Sequence, residues 1–326
     1  MATGWQLLGE IRLEHGTLFA GTTVGGLSAI DYDAAHGQFV LLSDDRSAHD
    51  PARFYTARID YDADGLHRFT LTGTRPLLSP QGQPYANARH VQAGVAVPDP
   101  EALRVLPSGE WLWSSEGDFS RGFGPELNAM RPDGTWLRRF ALPESLQYGQ
   151  GPRDNLTLEG IAVSPDGRTV WASMEGPLRQ DGPLPTHERP GGPVRITAFD
   201  AATGQPLRQI AYQPDALPAA AFVPRMAVNG VSEILADGAD HLLVLERSWV
   251  LGHGFGARLY RIATGDALHK TLVLDFSTLG LRTLDNLEGM AWAPPLPDGR
   301  RVLLLISDDN FNPAEVTQLV ALAQCS

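Results

Sequence analysis

Lysine and cysteine are nearly missing from this chain, and long apolar runs are missing altogether. Of 326 residues only Lys270 is a lysine, so the positive charge is almost all arginine. Any anionic group held here is held mainly by guanidinium, which suits bidentate contacts. The one cysteine, Cys325, excludes a disulfide framework and a thiolate metal site. No stretch approaches the ~20 apolar residues of a membrane span. The opening MATGW has no cationic or apolar segment of leader type. The formal net charge of -12 argues against nucleic acid or an anionic membrane as partner. No H-x-x-x-H pair, G-x-S-x-G elbow or P-loop occurs, which removes the usual zinc, serine-hydrolase and nucleotide signatures. His253 and His90 remain as isolated acid–base candidates.

What the chain does have is 34 glycines and 25 prolines spread along its length, with short β-rich runs between them. One hairpin signature recurs. Its clearest copies are NLTLEGIAVSPDGRTVWASMEG, from Asn155, and DNLEGMAWAPPLPDGRRVLLLISDDN, from Asp285. NGVSEILADGADHLLVLERS, from Asn229, is a third, and looser copies begin at Asp99 and Val24. Each has a short apolar run, a turn such as PSG, PDG or DGAD, and a second β-rich run. Glu101, Glu159, Glu233 and Glu288 precede the first run, spaced by 58, 74 and 55 residues (101 to 159, 159 to 233, 233 to 288). Gly25 takes that place in the first copy. Such spacing is near the ~40–50 residues of a four-stranded propeller blade with loop insertions. The expectation is an all-β propeller of six four-stranded antiparallel blades in one domain spanning 1–326, the sixth either degenerate or built partly from the two termini. IDYDADGL (Ile59–Leu66) begins like a calcium loop, but Leu71 stands where an EF-hand needs Glu, so a hairpin turn is expected.

Every copy also closes on acid: Asp44-Asp45, Glu116, Glu175, Glu246 and Asp308-Asp309. In an antiparallel hairpin the start of one strand and the end of the next are neighbours about 5 Å apart. Glu101 is therefore expected beside Glu116, Glu159 beside Glu175, Glu233 beside Glu246, and Glu288 beside Asp308, all on one face. Two carboxylates at ~5 Å repel by roughly 3 kcal/mol at an effective dielectric near 20. They must be protonated, bridged by arginine or bound to a cation. Oxygen-only ligation selects a hard ion, with Ca²⁺ favoured because it accepts irregular geometry. All eight acids are candidate metal ligands, and Asn155, Asn229, Asn286 and Asn310 can add amide oxygens. Arg46, Arg153 and Arg247 adjoin them and are candidate contacts for an anionic substrate.

On these residues the chain resembles the phytase-like family described as "esterase-like activity of phytase". GGLSAIDYD with FVLLSDDR, the central NLTLEGIAVSPDGRTVWASMEG and the closing DNLEGMAWAP with LLLISDDN carry the resemblance from about Val24 to Leu322. It implies a β-propeller, usually an exported (periplasmic or secreted) bacterial protein, whose acids carry phosphoesterase activity. The expected function is a calcium-dependent hydrolase of phosphoesters or related esters, with Glu159 and Glu288 catalytic. The near-absence of lysine and the strongly negative net charge argue against phytate itself. The substrate is expected to be a small anionic molecule or ester, and the protein a monomer. The competing readings are a non-catalytic propeller that binds a ligand or protein, and a lactonase-type enzyme with one central metal.

Overall fold

The computed structural model describes residues 4–325 apart from 90, 93, 222, 224 and 225, so His90 lies outside the described residues. Strand β1 (Trp5–Leu13) is followed by a small hairpin, β2 (Leu18–Phe19) and β3 (Thr22–Thr23). The chain then lays down one antiparallel sheet after another. Blade 1 comprises β4 (Leu27–Asp33), β5 (Gln38–Ser43), β6 (Arg53–Asp62) and β7 (Gly65–Pro76). Blade 2 comprises β8 (Pro100–Val105), β9 (Trp111–Ser115), β10 (Glu126–Met130) and β11 (Trp136–Arg139). Blade 3 comprises β12 (Leu158–Val163), β13 (Thr169–Met174), β14 (Val194–Asp200) and β15 (Pro206–Tyr212). Blade 4 comprises β16 (Ala227–Ala236), β17 (His241–Val250), β18 (Gly254–Ala263) and β19 (Asp266–Asp275). Blade 5 takes β20 (Asn286–Ala293), β21 (Val302–Asp308) and β22 (Thr317–Gln324), and β1 completes it from the other end of the chain.

The propeller therefore has five blades, which corrects the expectation of six. The repeat spacing exceeds a blade because long segments between the glutamates, 140–157 and 175–193 among them, run outside the strands. The terminal segments do meet, Trp5 opposite Gln324 and Leu13 opposite Thr317, but they close the fifth sheet and build no further one. The first strands β4, β8, β12, β16 and β20 pack side by side, and β20 returns to β4. IDYDADGL forms the turn between β6 and β7, with Asp62 Oδ1 accepting from Asp64 N at 2.8 Å, so it is a hairpin.

Burial explains the sequence pattern. The second strands β5, β9, β13 and β21 are buried along nearly their whole length on both faces, so they read as continuous apolar runs. The outermost β7 is mostly exposed and reads as polar alternation. Apolar clusters lie between blades: one joins blades 1 and 5, another 1 and 2, another 4 and 5, and a larger one blades 2, 3 and 4. Each blade is thus held by its neighbours, which fixes the ends of the innermost strands in a ring.

An ion pair fills the axis of that ring. Arg104 on β8 donates to the carbonyls of Ile30, Leu103, Ile234 and Met290 at 2.9–3.2 Å. Its guanidinium also lies 2.7 Å from Glu233 Oε2. Glu233 in turn accepts from Ile161 N at 3.0 Å. Two buried side chains thereby touch all five innermost strands.

Candidate functional site

A β-bulge near the start of each innermost strand decides which side chain faces the mouth of the ring. In β12 the extra residue is Glu159, between Leu158 opposite Met174 and Gly160 opposite Ser173. In β20 it is Glu288, and in β8 the irregularity takes in Glu101. A bulge re-aims the inserted side chain, and all three glutamates line one open cavity of about 470 Å³. The bulge falls on Ser28 in β4 and Ser232 in β16. Those hydroxyls donate instead to the next blade, Ser28 to Pro100 O and Ser232 to Leu287 O.

On each second strand, the residue that follows the partner of the pre-bulge residue completes the ring. It is Asp44, Glu116, Glu175 and Asp308 in blades 1, 2, 3 and 5. In blade 4 it is Arg247, because Glu246 pairs with Val231 as Met174 pairs with Leu158. This register corrects two expectations. Gly25 is not the counterpart of the glutamates, since Ser28 is. A Cβ on Gly25 would come within 2.9 Å of Asp309 and of the Phe311 ring, so no side chain fits there. Glu233 and Glu246 also do not form a pair at the mouth. Glu233 is one residue past the bulge and belongs to the axial ion pair. Glu246 is one residue before Arg247, which sends its side chain to the opposite face of the strand. There it accepts from Tyr212, Lys270, Asn229 and the Asp215 amide.

The remaining acids converge. One oxygen each from Asp99, Glu101 and Glu116 lie within 4.8 Å of one another, and so do one each from Glu116, Glu159 and Glu175. Two oxygens that share a Ca²⁺ ion at 2.3–2.6 Å can be no more than about 5 Å apart, so both triads fit one. Asn286 joins the other two acids, its Nδ2 donating to Glu288 Oε1 at 2.8 Å and to Asp308 Oδ2 at 3.5 Å. Among the described residues Arg247 is the only cation in the inner ring, 3.1 Å from Glu288 and 3.4 Å from Glu175. Gly230 makes this approach feasible, because a Cβ there would lie 2.7 Å from Glu175 Cγ. Two acceptors lining the cavity, Asp44 Oδ1 and Asn286 Oδ1, are buried with no donor among the described residues. Unpaired buried acceptors beside crowded carboxylates fit a hard cation.

The electrostatics agree with the geometry. Burial, with neighbouring carboxylates adding to it, raises Glu101, Glu116, Glu159, Asp44 and Asp308 well above the ordinary carboxylate range. Burial pushes Asp99 up to about 6 and Glu288 up to about 7, with Arg46 and Arg247 respectively opposing the rise. Glu175 is raised by burial while Arg247 counters it. Burial pulls Arg247 itself down, but Glu175, Glu288, Glu159 and Asp308 outweigh this and hold its guanidinium charged.

Of the other arginines, Arg46 sits at the rim, 3.4 Å from Asp99 and 3.5 Å from Asp118. Arg153 is not a lining residue; it donates to Pro177 O and Gly182 O and so pins the 175–193 loop. His253 is exposed in the β17–β18 turn beside a different hollow. Two lining features escaped the sequence reading. Asp99 was hidden as the start of a strand-end DPE, and Trp249 with Phe255 looked like ordinary strand residues.

The phytase-like family model, "esterase-like activity of phytase", matches residues 22–311. The chain belongs to that family. No match was found among curated protein sequences. Among solved structures, a Parabacteroides distasonis protein for which glycoside hydrolase activity has been suggested is 12% identical. That likeness covers 100% of this chain and 99% of the other, with a TM-score of 0.54. A GH43 β-1,3-galactosidase is 10% identical over 96% of this chain and 60% of its own, with a TM-score of 0.52. Identities this low establish a shared propeller fold and nothing finer.

Proposed function

We propose that this phytase-like propeller is a divalent-cation-dependent hydrolase of phosphoesters or related esters, with Ca²⁺ as the cation its donors favour. The observation that carries the reading is the pair of overlapping carboxylate triads sharing Glu116. Glu101, Glu116, Glu159 and Glu175, with Asp99, are the residues that would hold the ion. A bound cation would supply charge that neutralises these acids and polarises a phosphoryl or carbonyl oxygen. The protein supplies the rest. Arg247 and, at the rim, Arg46 orient anionic oxygens. Glu288 lies outside both triads, is held by Asn286 and Arg247, and is pushed up to about 7, so it can exchange a proton near neutrality. In hydrolysis of a phosphomonoester the water oxygen bonds to phosphorus, Glu288 takes the water's proton, and the ester P–O bond breaks. The leaving alkoxide takes up the proton that Glu288 held, so the alcohol departs neutral, Glu288 is a carboxylate again and inorganic phosphate remains. Glu159, a member of a triad, acts through charge and not through proton transfer. Fold alone does not choose this reaction, since propellers host many.

Turnover of p-nitrophenyl phosphate, p-nitrophenyl acetate and phytate, each with Ca²⁺, Mg²⁺ and Mn²⁺, tests the reading. Cation-dependent release of nitrophenol that Glu288→Gln abolishes, with Ca²⁺ binding intact, supports it. A non-catalytic propeller has one observation in its favour: Arg247 already neutralises part of the acid ring. Zero turnover with all three ions, combined with a Ca²⁺-dependent rise in melting temperature, decides for that alternative.

A further inference from the structure

Blade 4 is built differently from the others at the mouth. Strands β16, β17 and β18 each have 10 residues, where β12, β13 and β14 have 6, 6 and 7. In blades 1 to 3 the second strand stops at Ser43, Ser115 and Met174, in register with Glu246; β17 runs on to Val250. At ~3.3 Å per residue this lifts a hairpin about 10–13 Å above the acid ring. Its inner face is not acidic. Val228 pairs with Trp249, and Trp249 pairs with Phe255, so the three stand abreast on adjacent strands. Arg247, two residues before Trp249 on β17, shares that face by alternation. All four line the same cavity as Glu159 and Glu288.

The aromatic pair is open to a ligand. Trp249 and Phe255 are only partly buried, with ring centroids 6.5 Å apart and planes inclined at 49°. Leu251 at the hairpin tip is 42% exposed and Met226 beside it 39% exposed, so the apolar character continues to the rim. Apolar side chains gathered on a projecting hairpin are costly unless something covers them. Here they stand over a polar floor, which is the arrangement of a pocket that binds a two-part molecule.

We propose that Trp249, Phe255 and Val228 select substrates in which an anionic phosphoryl or acyl head carries a planar apolar group. The head lies on the acid ring and Arg247; the aryl or similarly flat leaving group lies against the raised wall of blade 4. The inference rests on the cation-dependent reading of the floor but concerns different residues, and it assigns Trp249 and Phe255 as specificity-determining. A polyhydroxylated, many-times-charged molecule has no group for this wall.

Binding, measured without turnover, separates the two claims. Isothermal titration with Ca²⁺ present compares 2-naphthylphosphonate with methylphosphonate on wild type, Trp249→Ala, Phe255→Ala, Trp249→Phe and Glu116→Gln. The wall predicts that 2-naphthylphosphonate binds wild type more tightly and loses about tenfold in Trp249→Ala. Methylphosphonate should change less than about twofold, and Trp249→Phe should restore most of the loss. Retention of the wild-type Ca²⁺ isotherm by Trp249→Ala checks that the variant is folded. If both phosphonates lose equally, or neither loses, in Trp249→Ala and Phe255→Ala, the wall is not a recognition surface, although the floor still binds. If naphthylphosphonate binds Glu116→Gln and wild type alike, the cation reading of the floor fails while the wall stands.

Discussion

Stripping divalent cations should make this protein less stable as pH rises from about 4 to about 7, the reverse of ordinary acid denaturation. Glu288 moves from 4.5 to about 7 and Asp99 from 3.8 to about 6, in each case with burial as the largest cause. Both residues are under one-tenth exposed, so solvent screening takes little from the effect. Between the unfolded and folded pKa values the native state holds more protons than the unfolded state. Stability is therefore full below the unfolded pKa and is lost as pH climbs through the folded one. Each shift exceeds two units, so each group removes roughly 3 kcal/mol over that window. For 326 residues the unfolding entropy is about 0.7 kcal/mol per kelvin, so the two together lower Tm by roughly 5–10 °C. Calorimetry of EDTA-treated protein from pH 4.5 to 8 measures this slope directly. Added Ca²⁺ at a hundred times its Kd should return about 2.7 kcal/mol, near 4 °C, at the alkaline end. Glu288→Gln should flatten the metal-free slope by about half. A metal-free Tm that stays level or rises from pH 5 to 8 in wild type, or a slope that Glu288→Gln leaves unchanged, refutes the burial argument.

Three further outcomes follow from the same geometry. Glu116→Gln should lower Ca²⁺ affinity more than Asp99→Asn or Glu175→Gln, since Glu116 alone belongs to both triads; titration calorimetry reads the order. Glu246→Gln should leave Ca²⁺ affinity within about twofold while costing ~1.5–3 kcal/mol in urea unfolding, because its partners are Lys270 and Tyr212, away from the mouth. Arg104→Leu should cost ~3–5 kcal/mol by stranding Glu233 without its counter-ion, and adding Glu233→Leu should recover a substantial part.

The hairpins and their turns were legible because a PDG or PSG turn between two apolar runs has one easy conformation. Gly109 and Gly167 take the positive φ that such turns demand. The face on which the acids meet was legible too, from antiparallel geometry alone. Register was not. Aligning the copies on their acids puts Glu233 beside Glu159, one residue out, and a one-residue slip sends a side chain to the wrong face. Aligning them on the apolar frame instead gives L-E-G-I, L-E-G-M, V-S-E-I, L-S-A-I and P-E-A-L, which sets Ser28 and Ser232 level with the glutamates. Bulges carry no reliable signature in a short run, so nothing marked that frame as the right one. Blade count failed for a related reason: loops dilute the repeat, and only pairing of β1 with β22 shows where the ring closes. Arg104 was invisible because its partners are main-chain carbonyls contributed by four different strands.

The Arg104–Glu233 pair turns the ring into a blind well. With the axis stopped one or two residues below the acids, traffic has a single entrance, and whatever is released must leave past whatever arrives. On the hydrolase reading proposed above, an inorganic or alcohol product therefore occupies the same approach as the next substrate. Inhibition by the anionic product should be competitive, and it should deepen as the hairpin of blade 4 retains the apolar one. The opposite face is sealed from this exchange, so a bulky fusion or surface attachment there should leave kcat and KM unaltered, whereas the same load at Leu251 should obstruct both entry and departure.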